Sequence, residues 1–182
     1  MLDPEHGFRV VDVHAHLAPN EEAAATRGRA VEPDRLEREF RQAGVVRAVV
    51  TPPPTGDGGY LRANNAVARR CVDRPFLAFA RLAGPLDAGD RPAARLRNLT
   101  ASRGPDDATP DDVEQYAYDD RFHGFALDPA ADGLPDDEVL AALADVDLPV
   151  LVSAGTRFPP RTAVATVVRH GVPVVLGSFG GY

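Results

Sequence analysis

Apolar runs and amphipathic runs take turns along the chain, which predicts alternating strands and helices. Apolar, β-branched runs predict strands at 8–17, 45–51, 76–82, 124–128, 148–155 and 172–181. Apolar residues three and four apart, with proline near the start or glycine at the end, predict helices at 32–44, 60–74, 135–147 and 161–171. Residues 84–120 interrupt the alternation as a polar excursion rich in Asp and Pro. Within this excursion the pattern allows a helix only at 91–103 and predicts a loop at 104–112.

This order of elements predicts an α/β fold with a parallel sheet covered by helices. The pattern gives about six strand–helix units, whereas an eight-stranded TIM barrel takes roughly 250 residues. We therefore expect a single domain over 1–182, folded either as an open α/β sheet or as an incomplete TIM-barrel-like structure. Hydrophobic periodicity does not choose between these two architectures.

The composition limits the classes of partner and the location that we expect for the protein. The chain is 44% hydrophobic, with 27 acidic against 20 basic residues and a formal charge of −7, and the arginines form no clustered basic face, so we expect no nucleic-acid partner. No apolar run reaches the roughly 20 residues that cross a membrane, and the acidic start and single cysteine, Cys71, indicate a cytoplasmic location. All the basic residues are Arg, which excludes lysine-dependent chemistry.

The stretch "VVDVHAHL" at 10–17 carries the strongest chemical signal. Alternate residues of a strand face the same way, so His14 and His16 project together from the carboxyl end of the first strand. Parallel α/β folds build their sites at that end. Two imidazoles at this spacing can both reach one metal ion, and Asp12 could hold an imidazole N–H from the second shell. The alternative is a pair of histidines that pack or cap without a metal.

Several stretches together resemble one family. "VVDVHAHL" is similar to the first strand of the amidohydrolase superfamily, in particular the amidohydrolase-related group that includes aminocarboxymuconate-semialdehyde decarboxylase. In the same order follow "VVRAVVTPPP", "ANNAVARRCVDRPFLAFARLAGP", "GFALDPAADGLP", "DLPVLVSAG" and "VPVVLGSFGGY". The resemblance implies a (β/α)₈ barrel and a metal-dependent hydrolase or lyase (decarboxylase) that acts on a small carboxylate or amide-type substrate through metal-activated water. It also implies a divalent metal, commonly zinc, with manganese or iron as alternatives, and His14 and His16 as its ligands.

The sequence departs from the family at positions that would carry chemistry. Ala126 stands where the family has lysine, Asp128 where a histidine follows, and Ser153 and Ser178 where later strands carry histidine. Asp128 shares the strand parity of Ala126, so it is a candidate third ligand and catalytic carboxylate, or simply the turn residue before a proline. Ser153 and Ser178 either contact substrate or fill the space of lost ligands.

Two arginines, Arg81 and Arg62, are candidates for binding a substrate carboxylate, because they lie near the ends of the third and second strands. The remaining histidines, His6, His123 and His170, are expected to be structural: the first is in the lead-in, the second at the start of a strand, and the third at a helix end.

Three interpretations of function stay open. The chain is a metal-dependent enzyme with altered ligands, or a catalytically degenerate relative that serves as a binding or assembly partner, or a fragment of a longer reading frame. An incomplete barrel leaves two sheet edges exposed. We therefore expect a homodimer mate or a partner chain to cover the open edge.

Overall fold

A single parallel sheet organises the protein. The computed structural model describes residues 9–18, 30–54, 59–89, 91–153 and 161–177. Within them the sheet contains seven strands, β1 to β7: Val10–Leu17, Ala30–Val31, Val45–Thr51, Phe76–Leu82, Phe122–Leu127, Val150–Val152 and Val174–Leu176. Their order across the sheet is β2-β1-β3-β4-β5-β6-β7, and every neighbouring pair is parallel. The expected parallel α/β architecture is therefore confirmed.

Helices connect most of these strands. The described residues form seven helices, α1 to α7: Pro33–Gln42, Tyr60–Cys71, Pro92–Asn98, Pro110–Ala117, Pro129–Asp132, Asp137–Asp145 and Arg161–Arg169. Proline occupies the first turn of α1, α3, α4 and α5, where its missing N–H leaves no helical hydrogen bond unmade. None of the described helices is long and apolar enough to cross a membrane.

The strands that the hydrophobic pattern predicts are present, but the strands predicted at 148–155 and 172–181 cover only three residues each in the described part of the chain. The strands predicted at 45–51 and 76–82 have the same bounds in the structure, and the fourth predicted strand begins two residues early, at Phe122. These runs succeed because they are β-branched or aromatic and end at prolines or at a polar segment. The two-residue strand β2 is an addition that no pattern predicted.

The polar excursion contains a helix that the sequence analysis missed. The prediction of a loop over 104–112 is wrong for its last three residues, because α4 begins at Pro110. Thr109 and Asp112 form a capping box, in which the Thr109 hydroxyl accepts from the Asp112 N–H at 3.2 Å and the Asp112 carboxylate accepts from the Thr109 N–H at 2.9 Å. Such reciprocal bonds satisfy N–H groups that the first helical turn leaves open.

The sheet has apolar residues on both faces. On the outer face, strand residues such as Leu17, Val50 and Leu127 are fully buried against the helices. On the inner face, a smaller cluster joins four strands through Val49, Phe79, Ala126 and Leu151. The two sets alternate along these four strands, as in a sheet with both faces covered.

The sheet is strongly curled. Four strands separate β1 from β7 in the sheet order, so a flat sheet would hold them about 24 Å apart at about 4.8 Å per strand. Instead, the Nδ1 atom of His14 on β1 lies 3.6 Å from the position that a Cβ would take on Gly177, which follows β7. The strands therefore form a curled half-barrel, compatible with an incomplete TIM-like barrel.

Candidate functional site

His14 and His16 lie together at the carboxyl end of β1. Their ring centroids are 5.2 Å apart, with the ring planes at 79°, and both residues are half-buried. The carboxyl ends of parallel strands are the edge at which α/β folds place their sites. The structure therefore brings the two predicted metal ligands side by side at the mouth of the half-barrel.

A bulge in β1 sets the direction of His14. The register between β1 and β3 shifts between Asp12 and Ala15, where three steps on β1 match two on β3. The Asp12 carboxylate accepts the main-chain N–H of His14 at 2.9 Å. A bulge re-aims the side chains that follow it, and this bond satisfies an N–H within the irregular stretch. Asp12 thus contacts a predicted ligand through the backbone, and its bond to an imidazole stays a prediction.

The second histidine is anchored on the neighbouring strand. His16 and Thr51 are register partners on β1 and β3, and the Nδ1 atom of His16 lies 3.1 Å from the Thr51 hydroxyl oxygen. Thr51 is only 2% exposed, so solvent competes little for this hydrogen bond. The sequence analysis did not single out Thr51.

Residues at the ends of β6 and β7 face His14 across the curl. The Cβ position of Gly177 lies 3.6 Å from His14 Nδ1, 3.5 Å from the Ser153 Cβ and 3.1 Å from a Leu151 methyl group. Only a glycine lets the chain after β7 approach this closely without displacing a neighbour. Ser153 is buried at 6% exposure, and its N–H donates to the carbonyl of Leu127 at 2.8 Å. His14 and Ser153 therefore both lie beside Gly177 at the mouth, and a role for Ser153 in the site stays a prediction.

Arg81 forms the centre of a buried ionic cluster with Asp128 and Asp132. Its guanidinium, at 2% exposure, reaches Asp132 Oδ2 at 2.7 Å and Asp128 Oδ2 at 3.3 Å. It also donates to the Pro52 carbonyl at 3.4 Å and lies 5.4 Å from the centroid of the Tyr60 ring. Arg81 ends β4 near the mouth, as the sequence predicts, but two carboxylates of the chain itself already neutralise it.

This Arg81 cluster carries more negative than positive charge when both carboxylates are ionised. Burial raises the pKa of Asp132, and the Arg81 charge and the Tyr60 hydroxyl act against that rise. The Tyr60 hydroxyl donates to Asp132. Asn64 fixes the Arg81 backbone, accepting its N–H and donating to its carbonyl, both at 2.9 Å. A substrate carboxylate would have to compete with these two aspartates for the guanidinium.

The Asp128 carboxylate already has two partners within the protein. Besides its ion pair with Arg81, its carboxylate accepts the N–H of Ala131 at 3.3 Å as the N-cap of α5. Among the residues that the structure describes, no group of three His, Cys, Asp or Glu side chains is arranged to hold a metal ion. His14 and His16 fit two positions of a catalytic zinc site, which normally has three protein ligands. The fit is therefore partial.

The other predicted residues lie in several places. Arg62 is exposed on the first turn of α2, and Ser178 and His6 lie outside the described residues. His123 is exposed near the start of β5, the end opposite to the mouth. His170 follows α7, where its Nδ1 contacts the Thr166 carbonyl at 2.9 Å. The last two positions agree with structural roles.

Comparisons with known proteins do not identify a relative. No protein-family model matches the sequence, and no curated protein is significantly similar to it. Function is therefore inferred from the residues and their geometry.

Proposed function

We propose that this chain is a divergent, amidohydrolase-like protein that binds a divalent metal, preferably zinc, and acts as a hydrolase or decarboxylase on a small substrate. The observation that carries the proposal is the pairing of His14 and His16 at the mouth, with Gly177 beside both His14 and Ser153 across the curl. A flat sheet would not bring these residues together. A bound metal would supply a Lewis acid that lowers the pKa of water toward neutrality.

The metal would be held by His14 and His16, with a further ligand from outside the described residues, from a partner chain or from the substrate. Asp128 is a poor third ligand because its carboxylate is held by Arg81 and by the Ala131 N–H. Removing it from this cluster would leave part of the buried guanidinium charge uncompensated, which is strongly unfavourable.

The Arg81 cluster favours an amide-type substrate over a carboxylate, and therefore a hydrolase over a decarboxylase. Arg81 is 2% exposed and already contacts Asp128 and Asp132. An incoming carboxylate would be repelled by these aspartates, whereas a neutral amide would not. Ser153 lies near His14 and is a candidate to orient the substrate or a water molecule.

A catalytically degenerate relative is the second candidate. It is favoured by the capture of Asp128 in an internal ion pair and by serine at Ser153, where the resemblance implies histidine. In that case the half-barrel would bind a ligand or a partner without turning a substrate over.

The edge of β7 supports an interaction with another chain. Among the described strands, β7 pairs with β6 alone, and Val175 and Leu176 are more than a third exposed. Unpaired edge strands invite pairing with a further strand. We propose that a second copy or a partner chain covers this edge, which sedimentation at several protein concentrations would test.

Metal content is the decisive experiment. The purified protein would be loaded with zinc, dialysed and analysed for metal, beside His14→Ala and a control, His123→Ala. We expect near-stoichiometric zinc in the unsubstituted protein and in His123→Ala, and a loss in His14→Ala. Absence of zinc from the unsubstituted protein would refute the metal site. Zinc binding without chelator-sensitive turnover on amides or carboxylates would favour the degenerate relative.

A further inference from the structure

A cavity lies where the end of β4 meets α2 and α4, and the histidine pair is not among the residues that line it. Its volume is about 130 Å³, several times the roughly 30 Å³ that one water molecule takes in the liquid. Segment 105–108 forms one wall. This wall is fixed at two points, because the Asp106 carboxylate accepts the Gly59 N–H at 2.9 Å and the Ala108 N–H donates to the Ala83 carbonyl at 3.0 Å.

The Tyr116 hydroxyl has a hydrogen that none of the described residues accepts. The Asn64 side-chain oxygen accepts the Arg81 main-chain N–H, and the Asn64 NH₂ group donates to the Arg81 carbonyl, both at 2.9 Å. A main-chain N–H only donates and a carbonyl only accepts, so these two bonds fix the orientation of the Asn64 amide. The NH₂ group therefore also donates to the Tyr116 oxygen, at 3.2 Å, and the Tyr116 O–H has to donate elsewhere.

The cavity is where an acceptor for this hydrogen can lie. Tyr116 is only 4% exposed, and it lines the cavity together with Arg81. Burial raises the pKa of Tyr116, so the hydroxyl keeps its proton at neutral pH. A buried donor without an acceptor destabilises the protein, and a ligand oxygen in this space, named here the Tyr116 cavity, would remove that cost.

Carboxylates dominate the charge around the Tyr116 cavity. Asp106, Asp107 and Asp112 line it, and Arg81 is the basic residue of the lining. The Arg81 guanidinium is already paired with two other carboxylates. Asp106 and Asp107 each accept a main-chain N–H with one oxygen, which leaves the other oxygen to accept from a ligand. Charge therefore favours a cation and opposes an anion.

We propose that the Tyr116 cavity binds a small primary amine with a neighbouring amide or carbonyl oxygen. The Tyr116 O–H donates to that oxygen, and the ammonium group pairs with Asp106 and Asp107. Amino-acid amides are the simplest molecules with both groups. A free amino acid fits less well, because its carboxylate would lie among the aspartates. This binding site is independent of the metal that we propose at the histidines.

Titration calorimetry with glycinamide, acetamide and acetate tests the ligand class, since acetamide lacks the ammonium group and acetate is an anion. We expect saturable binding of glycinamide, with a Kd on the order of millimolar because so small a molecule makes few contacts. Acetamide should bind more weakly, and acetate should not bind. Acetamide or acetate binding as tightly as glycinamide would overturn the proposed class. Absence of glycinamide binding would overturn the site and leave water as the occupant.

Two substitutions with matched controls test the residues. Tyr116→Phe removes only the hydroxyl and should weaken glycinamide binding about fivefold, as expected for one hydrogen bond. Tyr118→Phe is its control, since Tyr118 is 87% exposed, and should bind as the unsubstituted protein does. The double variant Asp106→Asn, Asp107→Asn should weaken the binding of glycinamide but not of acetamide. Asp111→Asn is its control, because Asp111 is exposed and does not line the cavity.

A spectroscopic measurement on the unsubstituted protein keeps the test valid if Tyr116→Phe folds poorly. With ¹³C-labelled tyrosine, the ring signals of Tyr116 should shift during titration with glycinamide, whereas those of Tyr118 should stay constant. Unchanged Tyr116 signals at saturating glycinamide would overturn the inference, and so would equal affinity in Tyr116→Phe.

Discussion

Replacing Arg81 by methionine tests whether the Arg81 cluster stabilises the mouth. Methionine retains much of the length and apolar volume of the side chain but leaves the carboxylates of Asp128 and Asp132, at 9% and 5% side-chain exposure, without their cation. Removing one partner of a buried ion pair costs about 3–5 kcal/mol. The bonds from the Tyr60 hydroxyl and the Ala131 N–H remain, so we expect a value near the lower end, about 3 kcal/mol.

The pH dependence of the stability provides a second, independent test of this prediction. Burial raises the pKa of Asp132 in the folded protein, and Arg81 opposes that rise. Without Arg81 the folded-state pKa should rise further, so the folded state binds a proton more readily than the unfolded chain. The contribution of Asp132 to the free energy of unfolding is then largest below its unfolded-state pKa of about 3.9. This contribution is lost as the pH rises through the folded-state pKa. The deficit of Arg81→Met should therefore be largest at neutral pH and shrink in mild acid.

The assay is urea unfolding followed by circular dichroism at neutral and mildly acidic pH. Arg35→Met is the matched control, because Arg35 pairs with Glu39 on the exposed face of α1, where such a pair contributes no more than about 0.5 kcal/mol. Adding Asp128→Asn and Asp132→Asn to Arg81→Met should recover part of the loss at neutral pH. A deficit no larger than that of Arg35→Met, or one that grows in acid, would refute the reasoning.

Three further predictions concern the rest of the fold. Burial raises the pKa of Cys71 to about 12, so its thiol should react with a disulfide reagent at pH 8 only after denaturation; rapid labelling of the folded protein would contradict this. Gly124→Ala should destabilise by about 1–3 kcal/mol, because the new Cβ would lie 2.6 Å from a phenylalanine ring and a proline carbonyl, whereas Gly104→Ala, with its nearest neighbour at 3.5 Å, should change little. The midpoints of urea unfolding compare the stability of these two variants. Hydrogen bonding to Arg103 lowers the pKa of Asp136, so Asp136 should contribute stability above the ordinary pKa of aspartate, about 3.9, and lose it as the pH falls through the lower folded-state value. Asp136→Asn, which keeps a good N-cap, should therefore be less stable at neutral pH but converge with the unsubstituted protein in acid; a constant difference would contradict the assignment.

Strands and histidine positions were accessible from the sequence because both depend on local patterns. The runs at 45–51 and 76–82 are mainly apolar over the whole length of a strand. His14 and His16 share a face because alternate residues of a strand point the same way. The missed helix α4 also had a local signal, since Thr109 and Asp112 have the spacing of a capping box with Pro110 between them. The surrounding excess of Asp and Pro obscured it.

The partners of Arg81 were not accessible in this way. Arg81 and Asp132 are 51 residues apart in sequence, and no periodicity links them. Asp132 comes close only because the chain turns into the short helix α5 after β5. The sequence analysis assigned Arg81 to a substrate because it could place the charge near the mouth but could not identify the carboxylates that neutralise it. The bulge in β1 lies between Asp12 and Ala15 and breaks the alternation that links Asp12 to the histidines. It is likewise a tertiary feature.

The mouth therefore has two halves with different roles. In the Arg81 cluster two internal carboxylates pair with the guanidinium, which also donates to the Pro52 carbonyl in the segment that carries Thr51. Thr51 in turn contacts the ring of His16. This segment therefore links the Arg81 cluster to the histidines. For that reason, we propose that any chemistry at this mouth takes place at His14 and His16, with Arg81 holding the neighbouring segment.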